Sequence, residues 1–233
     1  MPPKPSPLLC ELHAHTRWSD GALTVRELCD VYGLRGFDVL AVTDHASREP
    51  REVQAANYGA YLADVRREAL RARELYDLIV IPGLELTYDD PDPLLAAHAV
   101  AIGLRSYVDV SAGLEPALAA ARAHGAALIA AHPYAPSELD GAARATGAFG
   151  ARPELHPLVD RFELFNRHTL FGWVAAAGLP TIASGDFHRP EHLPGWKTLL
   201  PCPKDEPSVV GYLRSNRPAY LVRLDEAAER LAA

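Results

Sequence analysis

Six of the ten histidines, together with three acidic residues, fall at or beside the ends of short apolar runs. In chain order they are His13 and His15 in LLCELHAHT, Asp20 in WSDG, His45 in DVLAVTDH, Glu85 in LIVIPGLE, His98 in LLAAHAVAIG, His132 in ALIAAHP, and Asp186 and His188 in TIASGDFH. Imidazole and carboxylate are the ligands that hold Zn, Mn and Fe. Residues two apart on a strand project from one face, so His13 with His15, and Asp186 with His188, each bring two ligand groups to one point. A lone H-x-H is a weak signal. A second pair of the same geometry, with Glu85 and His132 at equivalent edges, turns it into a metal site. Nine such residues exceed the needs of one mononuclear centre, so the pattern reads as a polynuclear site suited to hydrolysis.

Something must carry these groups to one place. Strand-like runs at 8–13, 38–43, 78–82, 98–102, 127–131, 160–164 and 181–184 alternate with helical patterns near 24–33, 57–76, 114–124, 139–147 and 168–177. That alternation predicts repeated βα units on a parallel sheet, and the nearly continuous apolar runs predict strands covered on both faces. Gly36, Gly125 and Gly178 stand just past helical stretches, where a left-handed cap is favoured. In a parallel barrel the reactive residues gather where strands end. His98 alone lies near a strand start, so its strand either begins near 94 or runs in another direction. Beyond the last barrel strand, PSVVGYLRSN reads as a helix, RPAYLVRL as extended chain and DEAAERLAA as a terminal helix. Segments 86–97 and 133–157 are rich in loop formers and are expected near the barrel mouth. No repeat or linker interrupts residues 1–233, which read as a single domain.

Bulk properties set outer bounds. A chain of 233 residues with 48% hydrophobic content can bury a full core. The net charge of −7 argues against a duplex nucleic-acid partner, but not against an anionic substrate, because bound cations set the local field. No stretch suits a signal peptide or a membrane span, so a cytoplasmic protein without a membrane partner is expected. Cys10, Cys29 and Cys202 lack C-x-x-C spacing and read as reduced thiols.

The motifs resemble those of the PHP (polymerase and histidinol phosphatase) metallohydrolases. His13-Ala-His15-Thr16 is followed by Ser19-Asp20-Gly21, then by Thr43-Asp44-His45, Gly83-Leu84-Glu85 and His98. Ala131-His132-Pro133, Glu163 through Asn166, and Ser184-Gly185-Asp186-Phe187-His188 complete the series. They stand in the family's order and span residues 8 to about 200. The resemblance implies an α/β fold, a distorted (β/α)7 TIM-like barrel, holding two to three divalent ions (Mn, Fe or Zn). It assigns His13, His15, Glu85 and Asp186 to a first ion. Glu85 then bridges to a second held by His98 and His132, and Asp20, His45 and His188 hold a third. Glu85, Asp186 and His188 become the catalytic set, and Asp44 orients a neighbouring group. The implied enzyme is a metal-dependent phosphoesterase that attacks a small phosphorylated metabolite or nucleotide with metal-activated hydroxide. Histidinol-phosphate phosphatase and short-oligonucleotide exonuclease are alternatives within that class. A binuclear amide or lactone hydrolase and a non-catalytic metal-binding module are alternatives outside it.

Substrate contacts are expected from Arg17, Asn166 and Arg189, with Arg48, Arg167 and Lys197 as further cations near the mouth. Trp18, Tyr134, Phe187 and Trp196 are placed to stack on a ring, whereas Trp173 reads as core. His124, His156, His168 and His192 read as ordinary surface or capping residues. The mixed charges of residues 57–76 read as a solvated outer helix face. The oligomeric state is left open.

Overall fold

A computed structural model describes residues 6–47, 49–139 and 146–225. Eleven strands and six α-helices alternate through them. In chain order these are β1 (Leu8–Glu11), α1 (Val25–Gly33), β2 (Val39–Val42), β3 (His45–Ala46), α2 (Tyr58–Tyr76), β4 (Ile79–Tyr88), β5 (Ala97–Ile102) and α3 (Leu114–Ala123). There follow β6 (Ala127–Ala131), α4 (Ala148–Ala151), β7 (Arg161–Asn166), β8 (Thr169–Leu170), α5 (Gly172–Ala176), β9 (Thr181–Ser184), β10 (Gly195–Leu200), α6 (Glu206–Leu213) and β11 (Tyr220–Leu224).

The helices start and stop where local chemistry says they should. Thr24 and Glu27 form a reciprocal capping box that satisfies two free N–H groups of α1. On α2 the buried residues Tyr58, Tyr61, Leu62, Val65 and Ala72 follow helical spacing, so one stripe faces the sheet. Gly36, Gly125 and Gly178 adopt φ values of 72°, 85° and 68°, the left-handed geometry expected just past α1, α3 and α5.

One curled, mixed sheet runs in the order β11-β10-β1-β2-β4-β5-β6-β7-β8, with β3 paired to β4 and β9 to β7. The pairs β1/β2, β2/β4, β6/β7 and β7/β9 are parallel. β5 is antiparallel to both β4 and β6, which departs from a wholly parallel barrel. A β4–β5 hairpin brings Thr87 opposite His98, so His98 opens its strand and still reaches the end where the other ligands sit. The sheet's two flanks meet at that same end. His15 N–H donates to the Phe187 carbonyl at 2.7 Å and Phe187 N–H to His13 at 3.1 Å. β10, to which the sequence assigned no element, lies antiparallel beside β1. The Thr198 hydroxyl ties β10 to β9, accepting from Ala183 N–H at 2.9 Å and donating to the Ala183 carbonyl at 2.7 Å.

Alternation along the strands builds two cores. Leu8, Cys10, Leu12, Val39, Ala41, Ile79 and Ile81 join Val209, Tyr212 and Leu213 of α6 in one. Leu40, Val42, Val80 and Leu84 pack with α1, α2 and α3 in the other. All three cysteines are buried free thiols. Of the helix expected near 139–147, residues 140–145 lie outside the described residues, as do Arg48 and the terminal helix expected at DEAAERLAA, of which only Asp225 is described. The helix expected over 168–177 is shorter, Gly172–Ala176, because Thr169–Leu170 pairs back on β7. No helix among the described residues is long and apolar enough to cross a membrane.

Candidate metal centre

All nine ligand candidates converge at the end of the sheet where its flanks meet. They form three groups whose ligand atoms lie within 4.8 Å of one another: His13, His15 and Asp186; Glu85, His98 and His132; and His15, Asp20, His45 and His188. Glu85 stands between them, fully buried, with Oε2 at 3.4 Å from Nε2 of both His13 and His15. Its Oε1 is 3.2 Å from His98 Nδ1 and 3.1 Å from His132 Nε2. Asp186 Oδ1 is 3.7 and 3.5 Å from Nε2 of His13 and His15. In the third group Asp20 Oδ1 lies 3.6 Å from His45 Nε2, 3.2 Å from His188 Nε2 and 3.8 Å from His15 Nδ1. A tetrahedral ion with bonds of about 2.1 Å holds its ligand atoms about 3.4 Å apart, so these spacings are those of a coordination shell.

Five of the six imidazoles are steered from behind. His13 Nδ1 lies 3.0 Å from Glu163 Oε1, His132 Nδ1 3.2 Å from Thr146 Oγ1, and His45 Nδ1 2.8 Å from Thr87 Oγ1. His188 Nδ1 is 3.0 Å from the Asp186 carbonyl, and Asp89 Oδ1 is 3.0 Å from His98 Nε2. Such bonds on one ring nitrogen fix the tautomer and aim the other lone pair inward. The inward atoms His13 Nε2 and His15 Nε2 are buried and have no hydrogen-bond partner, and the equally buried Glu85 Oε2 faces them and lies 2.8 Å from His45 Nδ1. Unpartnered buried polar atoms are costly, and a divalent ion would satisfy both nitrogens at once. The residues fit divalent metal ions.

Two carboxylates outside the nine carry much of this order. Glu163 also accepts from the His132 backbone N–H at 2.7 Å and from the Ser184 hydroxyl, linking three strands beneath the centre. Glu11, equally buried, accepts from Leu12, His13 and Gly185 N–H through Oε1 at 3.0, 3.2 and 2.7 Å. Its Oε2 takes the Tyr32 hydroxyl at 3.1 Å and lies 2.8 Å from Lys197 Nζ. A side chain at Gly185 would collide with that carboxylate and ammonium. Glu11 therefore pegs the strand of the His13/His15 pair to the loop of the Asp186/His188 pair. Asp44 belongs to none of the three groups and accepts from Thr16 N–H, the Thr16 hydroxyl and the Ser19 hydroxyl at 2.7, 2.8 and 2.7 Å. His132 and Asp186 themselves sit at φ values of 30° and 43°, a strained backbone of the kind that collects at functional sites.

The electrostatics are those of a cage that attracts cations. Burial opposes charge on Glu85 and Asp186, but the surrounding imidazoles outweigh it and hold both carboxyls well below their usual range. Burial likewise opposes protonation of His98, yet Glu85 and Asp89 raise its pKa to about 9. His13 and His45 are raised against their burial by Glu85, and His188 by Asp20. His15 goes the other way, lowered to about 3 by burial and its His45 neighbour. Without metal, protons on His13, His45, His98 and His188 compensate the carboxylates.

The expected substrate contacts divide. Arg189 is exposed and lines a cavity of about 410 Å³ beside His188, together with Asp20, Ala22, Arg167 and His192. Arg17 is also exposed and donates to the Ala22 carbonyl at 2.8 Å. Asn166 is buried and donates to Glu163 at 2.9 Å, so it braces the centre from behind. Lys197 is not a mouth cation but the buried partner of Glu11. Phe187 is core against Tyr32. Trp18 donates to Asp64, Tyr134 meets Phe171 edge-on, and Trp196 stacks on Phe165 at 4.4 Å. Trp173 packs on Phe162 and His156, in keeping with its core reading. His192, read as an ordinary surface or capping residue, accepts from the His188 backbone N–H through Nδ1 at 3.2 Å and meets its ring edge-on. Its signal was spacing: it follows His188 by four residues.

No family model matches the chain. Over 89 residues, 34% of its length, it is 30% identical to the DNA polymerase/3'-5' exonuclease PolX of Bacillus subtilis, a match that spans 15% of that protein. Among solved structures, a two-domain protein from Bacteroides vulgatus, described as containing a predicted PHP-like metal-dependent phosphoesterase, superposes with a TM-score of 0.67. That match has 19% identity and covers 95% of this chain and 67% of the other. A proposed metal-dependent phosphoesterase from Bifidobacterium adolescentis gives 0.52 at 17% identity, covering 77% of this chain and 87% of that one. An amidohydrolase from Chromobacterium violaceum, solved with bound sulfate and no metal, gives 0.54 at 16% identity, covering 94% and 99%. What these share with the chain is the fold.

Proposed function

We propose that this chain, which has the fold of the PHP-like proteins, is a metal-dependent phosphoesterase for a small phosphorylated metabolite or nucleotide. The observation that carries the reading is the pair of buried, unpartnered inward nitrogens of His13 and His15, both aimed at Glu85 at the junction of three ligand groups. His13, His15, Glu85 and Asp186 would hold one ion, Glu85, His98 and His132 a second, and Asp20, His45 and His188 a third. Bound divalent ions supply Lewis acidity and bring the pKa of water toward about 7. The chain's own part is placement. Glu85 and Asp186 sit between the imidazoles and set the spacing of the ligand groups. His188, fixed through Nδ1, keeps its other nitrogen toward Asp20 and the open side of the centre. The carboxylates of Asp20, Glu85 and Asp186 offset only half the charge of three divalent ions, which leaves a pocket suited to a phosphate anion.

The third group favours phosphoester hydrolysis over a binuclear amide or lactone hydrolase, which needs no Asp20/His45/His188 set. The completeness of all nine ligand positions favours an enzyme over a non-catalytic metal-binding module. Protein loaded with Mn²⁺ should hydrolyse at least one of p-nitrophenyl phosphate, histidinol phosphate and short oligonucleotides. Absence of turnover on every phosphoester, with two or more ions per chain verified by elemental analysis, would contradict the proposal.

A further inference from the structure

The cavity beside His188 contains a hydrogen-bond conflict. His192 lies with Nδ1 at 3.2 Å from the His188 backbone nitrogen and Nε2 at 3.1 Å from Arg189 Nε. Both neighbours are donors: a peptide N–H and a guanidinium N–H. A neutral imidazole accepts at one nitrogen and donates at the other, and the guanidinium accepts nothing. The peptide N–H cannot turn away, because the carbonyl of the same peptide plane, that of Phe187, accepts from His15 N–H at 2.7 Å, and Phe187 N–H donates to the His13 carbonyl at 3.1 Å. Nδ1 is therefore the acceptor and Nε2 carries the hydrogen. Arg189 Nε–H and His192 Nε2–H then point at each other with no acceptor between them.

Two converging donors at 3.1 Å call for an acceptor that both can reach. The protein does not supply it: neither Arg189 nor His192 has a carboxylate within ion-pair distance among the described residues. Asp20 lines the same cavity, but its carboxylate is directed at His188 and His45. Arg167 adds a second cation. Its Nε and Nη2 hold the Gly185 and Asp186 carbonyls and Asp186 Oδ2, and Nη1 makes none of these bonds. Its backbone is held in the left-handed region at φ 52°, where Trp196 N–H bonds its carbonyl at 3.0 Å. Arg167, Arg189 and His192 belong to none of the three ligand groups. The cavity, about 410 Å³, is large enough for a phosphate or a carboxylate with part of the molecule that bears it.

We propose that Arg189, His192 and Arg167 form an oxyanion subsite beside the metal centre, in which His192 Nε2–H and Arg189 share one oxygen of a substrate phosphate or carboxylate. This deepens the phosphoesterase reading and rests on it for the identity of the substrate, though not for the binding itself. His192 becomes a specificity-determining residue: it rewards substrates that place an anionic oxygen here.

The test is a calorimetric titration of chelator-treated and Mn²⁺-loaded protein with inorganic phosphate and, separately, acetate. Wild type would be compared with His192→Phe, Arg189→Met and Arg189→Lys. Phosphate affinity of the chelator-treated protein should fall tenfold or more in His192→Phe and in Arg189→Met, with partial recovery in Arg189→Lys. Matching loss for acetate would mark a carboxylate as cargo, and loss for phosphate alone a phosphoryl group. Nitrogen-15 NMR should find the His192 hydrogen on Nε2. On the loaded enzyme the same variants should raise KM at least as much as they lower kcat. Unchanged phosphate and acetate binding in both variants, or a hydrogen on Nδ1, would overturn the subsite. Weakened binding in a protein without phosphoesterase turnover would instead retain the subsite and sink the functional reading.

Discussion

Single side chains succeed here because one nitrogen of an imidazole is engaged so that the other is free. Glu163 shows this most clearly, holding His13 Nδ1 at 3.0 Å while His13 Nε2 faces Glu85. Glu163→Gln should leave the fold intact and weaken metal binding by about 10- to 100-fold, measured with a competing chelator; unaltered affinity would remove Glu163 from the account. Direct ligands should matter more, and His13→Ala or Asp186→Ala should abolish nearly all phosphoesterase activity and reduce the ion content. The titrations give a signed prediction for the metal-free protein. The folded pKa of His98, about 9, exceeds its ordinary value of about 6.5. Its stabilising contribution is thus full below about 6.5 and is lost as pH climbs through about 9. His13, His45 and His188 are raised as well and act in the same direction. His15, lowered to about 3, costs stability as pH drops below about 6.5. Metal-free protein should therefore lose thermal stability between pH 6.5 and 9, whereas metal binding, which displaces those protons, should tighten over the same range. Scanning calorimetry across that range checks the first, and chelator competition the second. The nine ligands were legible in the sequence because imidazole and carboxylate at strand ends have few other uses. His192 was not, because its four-residue spacing from His188 signals proximity but not the conflict between two donors on which its role depends.

At the level of elements, the site depends on joining the first strand to the last. Glu11 of β1, Lys197 of β10 and Gly185 after β9 form that joint in the dry interior. Breaking a buried ion pair from one side costs about 3–5 kcal/mol. Lys197→Met should thus lower stability by that order and displace Asp186, and Gly185→Ala should do similar harm by collision. Thermal melts with metal titration would check both; wild-type values in either variant would refute the joint. None of this was readable beforehand, since Lys197 in GWKTLL looks like a surface cation until β1 supplies Glu11. Most strand and helix positions were readable, because apolar runs and caps are local. Strand direction was not local: the hairpin that reverses β5 leaves the apolar pattern of 98–102 unchanged. The same holds for α2, whose charges looked solvated. Glu68 is instead buried, with Arg26, Arg67 and Arg71 around it, and knits α2 to α1.

Viewed whole, the chain concentrates cation-attracting groups at one end of a curled sheet, while the opposite end is packed with α6. Buried Arg161 locks that helix by donating to the Leu213, Tyr212, Ser215 and Arg217 carbonyls. A net charge of −7 and a strongly cationic loaded centre are compatible, because the compensation is local. Metal removal should therefore act on the entire fold, lowering the melting temperature by several degrees, because binding free energy is folding free energy at such a site. The most direct measurement is anomalous diffraction from crystals of metal-loaded protein. The account predicts two or three peaks, one between His13, His15, Glu85 and Asp186, one between Glu85, His98 and His132, and one at Asp20, His45 and His188. No peak among these nine side chains, or ions bound only elsewhere, would contradict it.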